Sequence, residues 1–307
     1  MKLFYCLLLV VFLSPLPYAS NAPWAWSLFS LLIAVIAIIW AIQCIFSSRN
    51  HFLALFKSTI DIIIAFFIVA IWILIQTSRF FPDLYHPLWQ LNNEISIPVS
   101  GFISLTPADS LVSLMRLLSY ALVFWLALYY SQDIYKARFI FYSLMIISFL
   151  YSVYGLIIYL GDFNMILWRE VPNLGSLTST FINHNHFATF SGLSLLCSVA
   201  LIHDATTVSS HYNRDSNIGL QRFIENLIIR TWFPLLAFIV IGTALILTHS
   251  RGGFFSSLLG LSVLLIALNT NRKTRNMYIL WFFVTFIIIG FMIFYISGGR
   301  WVIILKT

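Results

Sequence analysis

Apolar residues in this chain arrive in long runs with almost no charge. Ile60 to Gln76, whose one ionisable side chain is Asp61, is typical. A helix needs about 20 such residues to cross the hydrocarbon core of a bilayer, and many of these runs approach that length. In lipid the backbone must satisfy its own hydrogen bonds, so the runs read as helices. An outer-membrane barrel would instead show alternating segments of about 10 residues, which these uniformly apolar runs do not resemble.

The surface argument agrees. Soluble chains carry about a quarter charged residues, whereas this chain of 307 has 9% charged and 61% hydrophobic residues, with a mean hydropathy of +0.94. The fold class expected is therefore all-α, a polytopic integral membrane protein of about nine transmembrane helices in a single domain. The spans run roughly over Leu3 to Tyr18, Trp24 to Phe46, Thr59 to Gln76, Leu111 to Tyr130, Phe139 to Leu160, Thr180 to His203, Thr231 to Thr248, Phe254 to Leu268 and Met277 to Ser297. Lys2 followed by Ser20, Asn21 and Ala22 also has the outline of a signal-peptidase site, and cleavage there would leave the later topology unchanged.

Charge sets the orientation, because short cytoplasmic loops hold the excess of Lys and Arg. With the N-terminus cytoplasmic, the inner side holds 11 of the 17 basic residues: Lys2, Arg49, Lys57, Lys136, Arg138, Arg214, Arg222, Arg230, Arg272, Lys273 and Arg275. Arg79, Arg116, Arg169, Arg251, Arg300 and Lys306 remain on or near the outer side. The net charge of +7 thus follows from membrane topology, and its scattered basic residues give no nucleic-acid site. Cys6, Cys44 and Cys197 all lie inside apolar runs and read as packing residues.

Two outer loops are expected. Thr77 to Ser110 holds Arg79, Phe80, Phe81, Asp83, Tyr85, His86, Trp89, Glu94 and Asp109, and fits either an interfacial aromatic belt or a sugar-contacting surface. Gly161 to Ser179 contains Trp168, Arg169 and Glu170, then a Ser/Thr-rich run.

Outer-face arginines run against the positive-inside tendency, and pairing with an anion is the simplest reason for them. Arg251 has the most specific setting, in Thr248-His249-Ser250-Arg251-Gly252-Gly253. So short a turn starts a helix at the membrane face with Ser250 as N-cap and with free N–H groups at the positive end of the helix dipole. An arginine there forks two oxygens of a phosphate or pyrophosphate. The competing reading is that Arg251 snorkels to the interface and the glycines only make the turn. Gly253, Ser257 and Gly260 continue as a stripe suited to close helix packing.

The second polar cluster opens the sixth span, at Thr178-Ser179-Thr180-Phe181-Ile182-Asn183-His184-Asn185-His186-Phe187-Ala188. If this segment is already helical, Asn183, His186 and Phe187 share a face. Polar side chains at membrane depth point to a protein-lined or water-filled pocket. His184 and His186 supply two metal-type donors, but sequence places no third or fourth ligand. Lining for a hydroxyl-rich ligand fits better, and no cofactor is expected.

Taken together, Ser179 to Ala188 and, some sixty residues later, Thr248 to Gly253 resemble the paired signature of the O-antigen ligase and O-antigen polymerase superfamily, which are lipid-linked glycan transferases. Ser104-Leu105-Thr106-Pro107-Ala108-Asp109 before a span with Arg116, and Pro15-Leu16-Pro17 before Pro23-Trp24-Ala25-Trp26, are similar to less specific features of that family. The resemblance implies a glycosyltransferase at the outer face of the bacterial cytoplasmic membrane. It would pass a glycan from a polyprenyl-pyrophosphate carrier to a glycan, lipid A core or protein hydroxyl, without metal. It places Arg251 and Arg300 at the chemistry and assigns substrate binding to Asn183, Asn185, His186, Ser250, Arg169 and Arg116. Members of the family continue beyond the last span into a long basic loop bearing a histidine, so the chain looks like the amino-terminal part of such a transferase, through a truncated reading frame, a split gene or an incomplete sequence, and lacks that loop's general base. A flippase or transporter of lipid-linked sugars, or an inactive fragment, is the alternative. The absence of paired interrupted helices weighs against transport.

Overall fold

The computed structural model describes residues 2–47, 49–90, 101–170, 175–215 and 220–268, and its fold divides between Ala137 and Arg138 into two units. The first holds α1 (Lys2–Leu13), α2 (Pro23–Ser47), α3 (Arg49–Ser58), α4 (Ile60–Gln76) and α5 (Pro107–Tyr130). Proline opens both α2 and α5, where its fixed φ suits the first turn and its missing N–H leaves no bond unmade. In this unit α2 packs on α1, α3 and α5, and α4 packs on α5.

The second unit takes almost all of α6 (Ile134–Leu160), then a small antiparallel strand pair, β1 (Met165–Ile166) and β2 (Arg169–Glu170). It continues through α7 (His184–Asp215), α8 (Leu220–Leu247) and α9 (Arg251–Leu268). The central helix is α7, with α8 and α9 laid against it. Pro234 lies inside α8 and is fully buried, yet the helix continues through it.

Six helices among the described residues are long and apolar enough to cross a membrane: Pro23–Phe46, Pro107–Tyr130, Ile134–Leu160, His184–Thr206, Ile229–Leu247 and Arg251–Leu268. The chain is a multi-pass membrane protein. These six coincide with the second and the fourth to eighth expected spans. The third expected span is α4, whose 17 residues reach about 25 Å against a core of about 30 Å. The ninth, Met277 to Ser297, lies outside the described residues, as do Arg300 and Glu94.

Two boundaries differ from expectation for local reasons. The first apolar run was expected to be helical to Tyr18, but α1 stops at Leu13 after 12 residues. Pro15 and Pro17 follow at once, and proline both lacks a donor and disfavours helical backbone in the residue before it. The sixth span was expected from Thr180, but α7 starts at His184 because Ser179 takes a left-handed backbone with φ 55°.

Among the described residues, large apolar side chains face outward as well as inward, and the buried polar ones are all hydroxyls. Along α4 only Ala70 is buried, while Ile62, Phe67, Ile68, Ile71 and Trp72 face outward. Every buried polar side chain among the described residues belongs to the second unit, from Ser148 on α6 to Ser257 on α9. Lipid tails give apolar side chains no reason to leave them, so helices in a membrane associate through close packing of small residues. The expected glycine stripe does this: Gly253 meets Ala188, and Gly260 lies where a Cβ would come 3.1 Å from Leu196. Gly192 on α7 takes the same part toward Ser257, whose hydroxyl occupies the space a side chain would need.

Candidate functional site

Two helix starts meet in the second unit. Asn183 closes the first turn of α7: its Oδ1 accepts from the Asn185 N–H at 2.8 Å, and its carbonyl accepts from His186 and Phe187 at 3.1 and 3.3 Å. Ser250 caps α9 as the sequence predicted, accepting from the Gly253 N–H at 3.1 Å through Oγ and from Phe254 at 2.9 Å through its carbonyl. The same Ser250 hydroxyl donates to Asn185 Oδ1 at 2.7 Å. One side-chain hydrogen bond thus ties the cap of α9 to the first turn of α7, and brings together residues 65 apart in sequence.

The turn beneath is held from several directions. Thr248, fully buried, donates from Oγ1 to the Leu245 carbonyl at 2.6 Å and accepts from the Ser250 N–H at 3.2 Å. Leu177 donates its N–H to the Leu247 carbonyl at 3.0 Å, tying the segment before α7 to the end of α8. Ser179 Oγ donates to the Tyr151 carbonyl at 2.6 Å and sits against Gly155, where a Cβ would come 2.9 Å from its own. His249 links the two helices with φ 54°, a left-handed backbone that non-glycine residues adopt at a cost.

The electrostatics follow from this geometry. Each helix N-terminus carries about half a positive charge, and neither α7 nor α9 has an acidic residue in its first turn to offset it. Arg251, the first residue of α9, is exposed and adds a full charge. The N–H groups of His184, Arg251 and Gly252 have no acceptor among the described residues. Among the described residues nothing comes within 4 Å of where a Cβ on Gly252 would stand. His186, Asn185 and His249 are exposed around this point, and His184 is half-buried. A small anion with several oxygens would meet free N–H groups, a guanidinium and amide or imidazole edges in one place.

The structure refines the sequence reading of this cluster. Asn183 is the cap before the helix rather than a member of its face. His186 is exposed while Phe187 is fully buried, so the two point to different surroundings. Asn183, Asn185, His186, Ser250 and Arg251 all belong to the two helix starts. Arg169 is exposed on β2, opposite Ile166, and among the described residues no ion pair or hydrogen bond ties it to the Asn185–Ser250 pair. Arg116 is in the first unit, on α5, with its guanidinium carbon 4.7 Å from the centre of the Trp26 ring. Among the described residues no group of three or more His, Cys, Asp or Glu comes together.

Sequence reasoning quoted Thr248 and Ser179 within its two motifs but gave neither a supporting role, and it did not single out Leu177. The Ser/Thr-rich run before α7 was the signal for one of them. No protein-family model, curated protein or solved structure matches this chain.

Proposed function

We propose that this chain is a membrane glycosyltransferase of the O-antigen ligase type. It moves a glycan from a polyprenyl-pyrophosphate carrier to an acceptor hydroxyl in the synthesis of cell-surface polysaccharide. The observation that carries the proposal is the junction of two unneutralised helix starts at the Asn185–Ser250 hydrogen bond, with Arg251 at its edge. The topology belongs to the same proposal: about nine helices, the N-terminus in the cytoplasm, and this junction at the outer face of a bacterial cytoplasmic membrane.

In the transfer, the bond between the sugar anomeric carbon and the carrier phosphate oxygen breaks, the acceptor oxygen bonds to that carbon, and the acceptor's proton passes to solvent or to the departing diphosphate. The departing lipid diphosphate gathers negative charge. Fixed N–H groups and a guanidinium aimed at it lower the barrier, since they need no reorganisation when the charge develops. Arg251 forks the diphosphate, and the family resemblance assigns Arg300, which lies outside the described residues, to the same chemistry. Asn183, Asn185, His186 and Ser250 line the donor site, and the family resemblance assigns Arg169 and Arg116 to substrate binding as well. A glycan, the lipid A core or a protein side chain serves as acceptor.

The test is glycan transfer from a polyprenyl-pyrophosphate donor in membranes carrying the protein. Arg251→Ala should lower transfer by about a hundredfold or more, the loss typical of removing one transition-state donor. Membrane insertion and helix content should stay unchanged. Undiminished transfer by Arg251→Ala, or movement of the intact lipid-linked sugar across the bilayer without transfer, would overturn the reading.

A further inference from the structure

Helix serines in this protein have a habit. Ser113, Ser119, Ser194, Ser198, Ser257 and Ser262 each donate to a carbonyl four residues back on their own helix. That is the ordinary way for a hydroxyl in an apolar setting to satisfy itself. Ser148 and Ser152 on α6 and Ser191 on α7 depart from it. All three are fully buried, and among the described residues their hydroxyls have no partner, as is also true of Thr180 just before α7.

These four are not scattered. Along the antiparallel pair α6 and α7, Arg138 binds Asp204, Ser194 Oγ reaches the Leu144 carbonyl at 3.4 Å, Tyr151 meets Phe190, and Ser179 bonds the Tyr151 carbonyl. Ser148 and Ser152 fall one turn apart on α6 between the Leu144 and Gly155 contacts. Ser191 lies next to Phe190 and one turn from Ser194, and Thr180 next to Ser179. The unpartnered hydroxyls therefore follow one seam. It begins at the segment under the α7 start and descends between the helices. Across it α6 stands further off α7 than α8 or α9 does. A buried polar group without a protein partner is normally satisfied by ordered water, which needs two to four polar neighbours and room.

We propose that the α6–α7 seam is a water-binding site. Ser148, Ser152, Ser191 and Thr180 hold a short file of internal water, with the seam carbonyls as further acceptors. The inference is independent of the transferase reading. Water is the ligand because the seam offers uncharged hydroxyls that both donate and accept, and no ionised side chain is recorded among these four.

Radiolytic footprinting of the purified full chain in nanodiscs tests it, since radicals made from internal water oxidise the side chains beside that water. Met145, fully buried and one turn from Ser148, and Tyr151, next to Ser152, are the reporters. Both should be oxidised well above Leu126, an equally buried side chain of the first unit, after correction for intrinsic reactivity. Replacing Ser148, Ser152 and Ser191 by alanine, singly and together, should lower oxidation at both reporters several-fold. Reporters as silent as Leu126 in the wild-type chain would overturn the proposal whether or not the variants fold. So would oxidation that the alanine variants leave unchanged. Protection of the reporters by added sodium or potassium alone would also overturn it, in favour of a coordinated cation.

Discussion

Gly253 on α9 sits so close to Ala188 on α7 that a side chain on the glycine would overlap the alanine methyl. The contact lies one turn into α9 and one turn into α7, directly beneath the junction of their two starts. Helix packing and site geometry are therefore the same fact at this point. Gly253→Val should separate the helices and cost about 1–3 kcal/mol, the usual penalty for overpacking a fitted interface. Thermal unfolding in detergent reads the loss. Gly252→Ala, with nothing among the described residues within 4 Å of its Cβ position, is the control and should change unfolding little.

Ser250 and Asn185 share one hydrogen bond but do not stand in the same surroundings. Ser250 is buried and caps α9, whereas Asn185 is exposed, so water can replace what Asn185 loses. Ser250→Ala should cost about 1 kcal/mol through loss of the cap. Asn185→Ala should cost less, and measured unfolding in the reverse order would show that the shared hydrogen bond, and not the cap, holds the turn.

How far the sequence foretold this arrangement depends on the range of each interaction. The Ser250 cap and the Gly253, Ser257 and Gly260 stripe were readable because they are set by neighbours within a turn or two. The end of α1 was equally local, since Pro15 and Pro17 stop it, but the apolar run through Tyr18 masked the signal. The Asn185–Ser250 bond was not readable, because nothing in either segment states that α7 and α9 begin side by side. Asn183 was assigned to a helix face for a related reason: the left-handed Ser179 that delays α7 is fixed by its bond to Tyr151 on another helix. The unpartnered hydroxyls of α6 look in sequence like any other membrane serines.

The end of the α6–α7 pair away from the helix starts is closed by Arg138 and Asp204, in a two-pronged contact of 2.9 and 3.0 Å. Both side chains remain two-fifths or more exposed, so solvent screens the pair. A double-mutant cycle of Arg138→Ala and Asp204→Ala should give a coupling of about 0.5–1 kcal/mol, falling with added salt. A salt-independent coupling would mean the pair is desolvated in the membrane.

Asp133, in the turn between α5 and α6, is held below its ordinary carboxylate range, chiefly by a hydrogen bond from the Lys136 side chain and then by the Tyr135 N–H. A carboxyl depressed in the folded state adds stability above its unfolded pKa and loses it as pH falls through the folded value. The effect is therefore confined to acid below about pH 4. Lys136→Met should raise the Asp133 titration midpoint, measured by carbon-detected NMR. An unmoved midpoint would place the cause in the backbone donor alone.

Arg116 and Trp26 raise the question of why a cation persists in an apolar helix. The Arg116 Nε and the Trp26 indole N–H are both buried without a partner among the described residues, and the guanidinium lies over the indole ring. Stacking of this kind is worth about 0.5–2 kcal/mol. An unpaired polar group costs about 1–3 kcal/mol, so the pair gives α5 little or no net stability. Charged residues inside membrane helices generally persist for function. Arg116→Leu should accordingly unfold within about 1 kcal/mol of the wild type in detergent, the balance of those two magnitudes. A clearly larger loss would instead make Arg116 a structural partner of Trp26 whose stacking outweighs the unpaired groups.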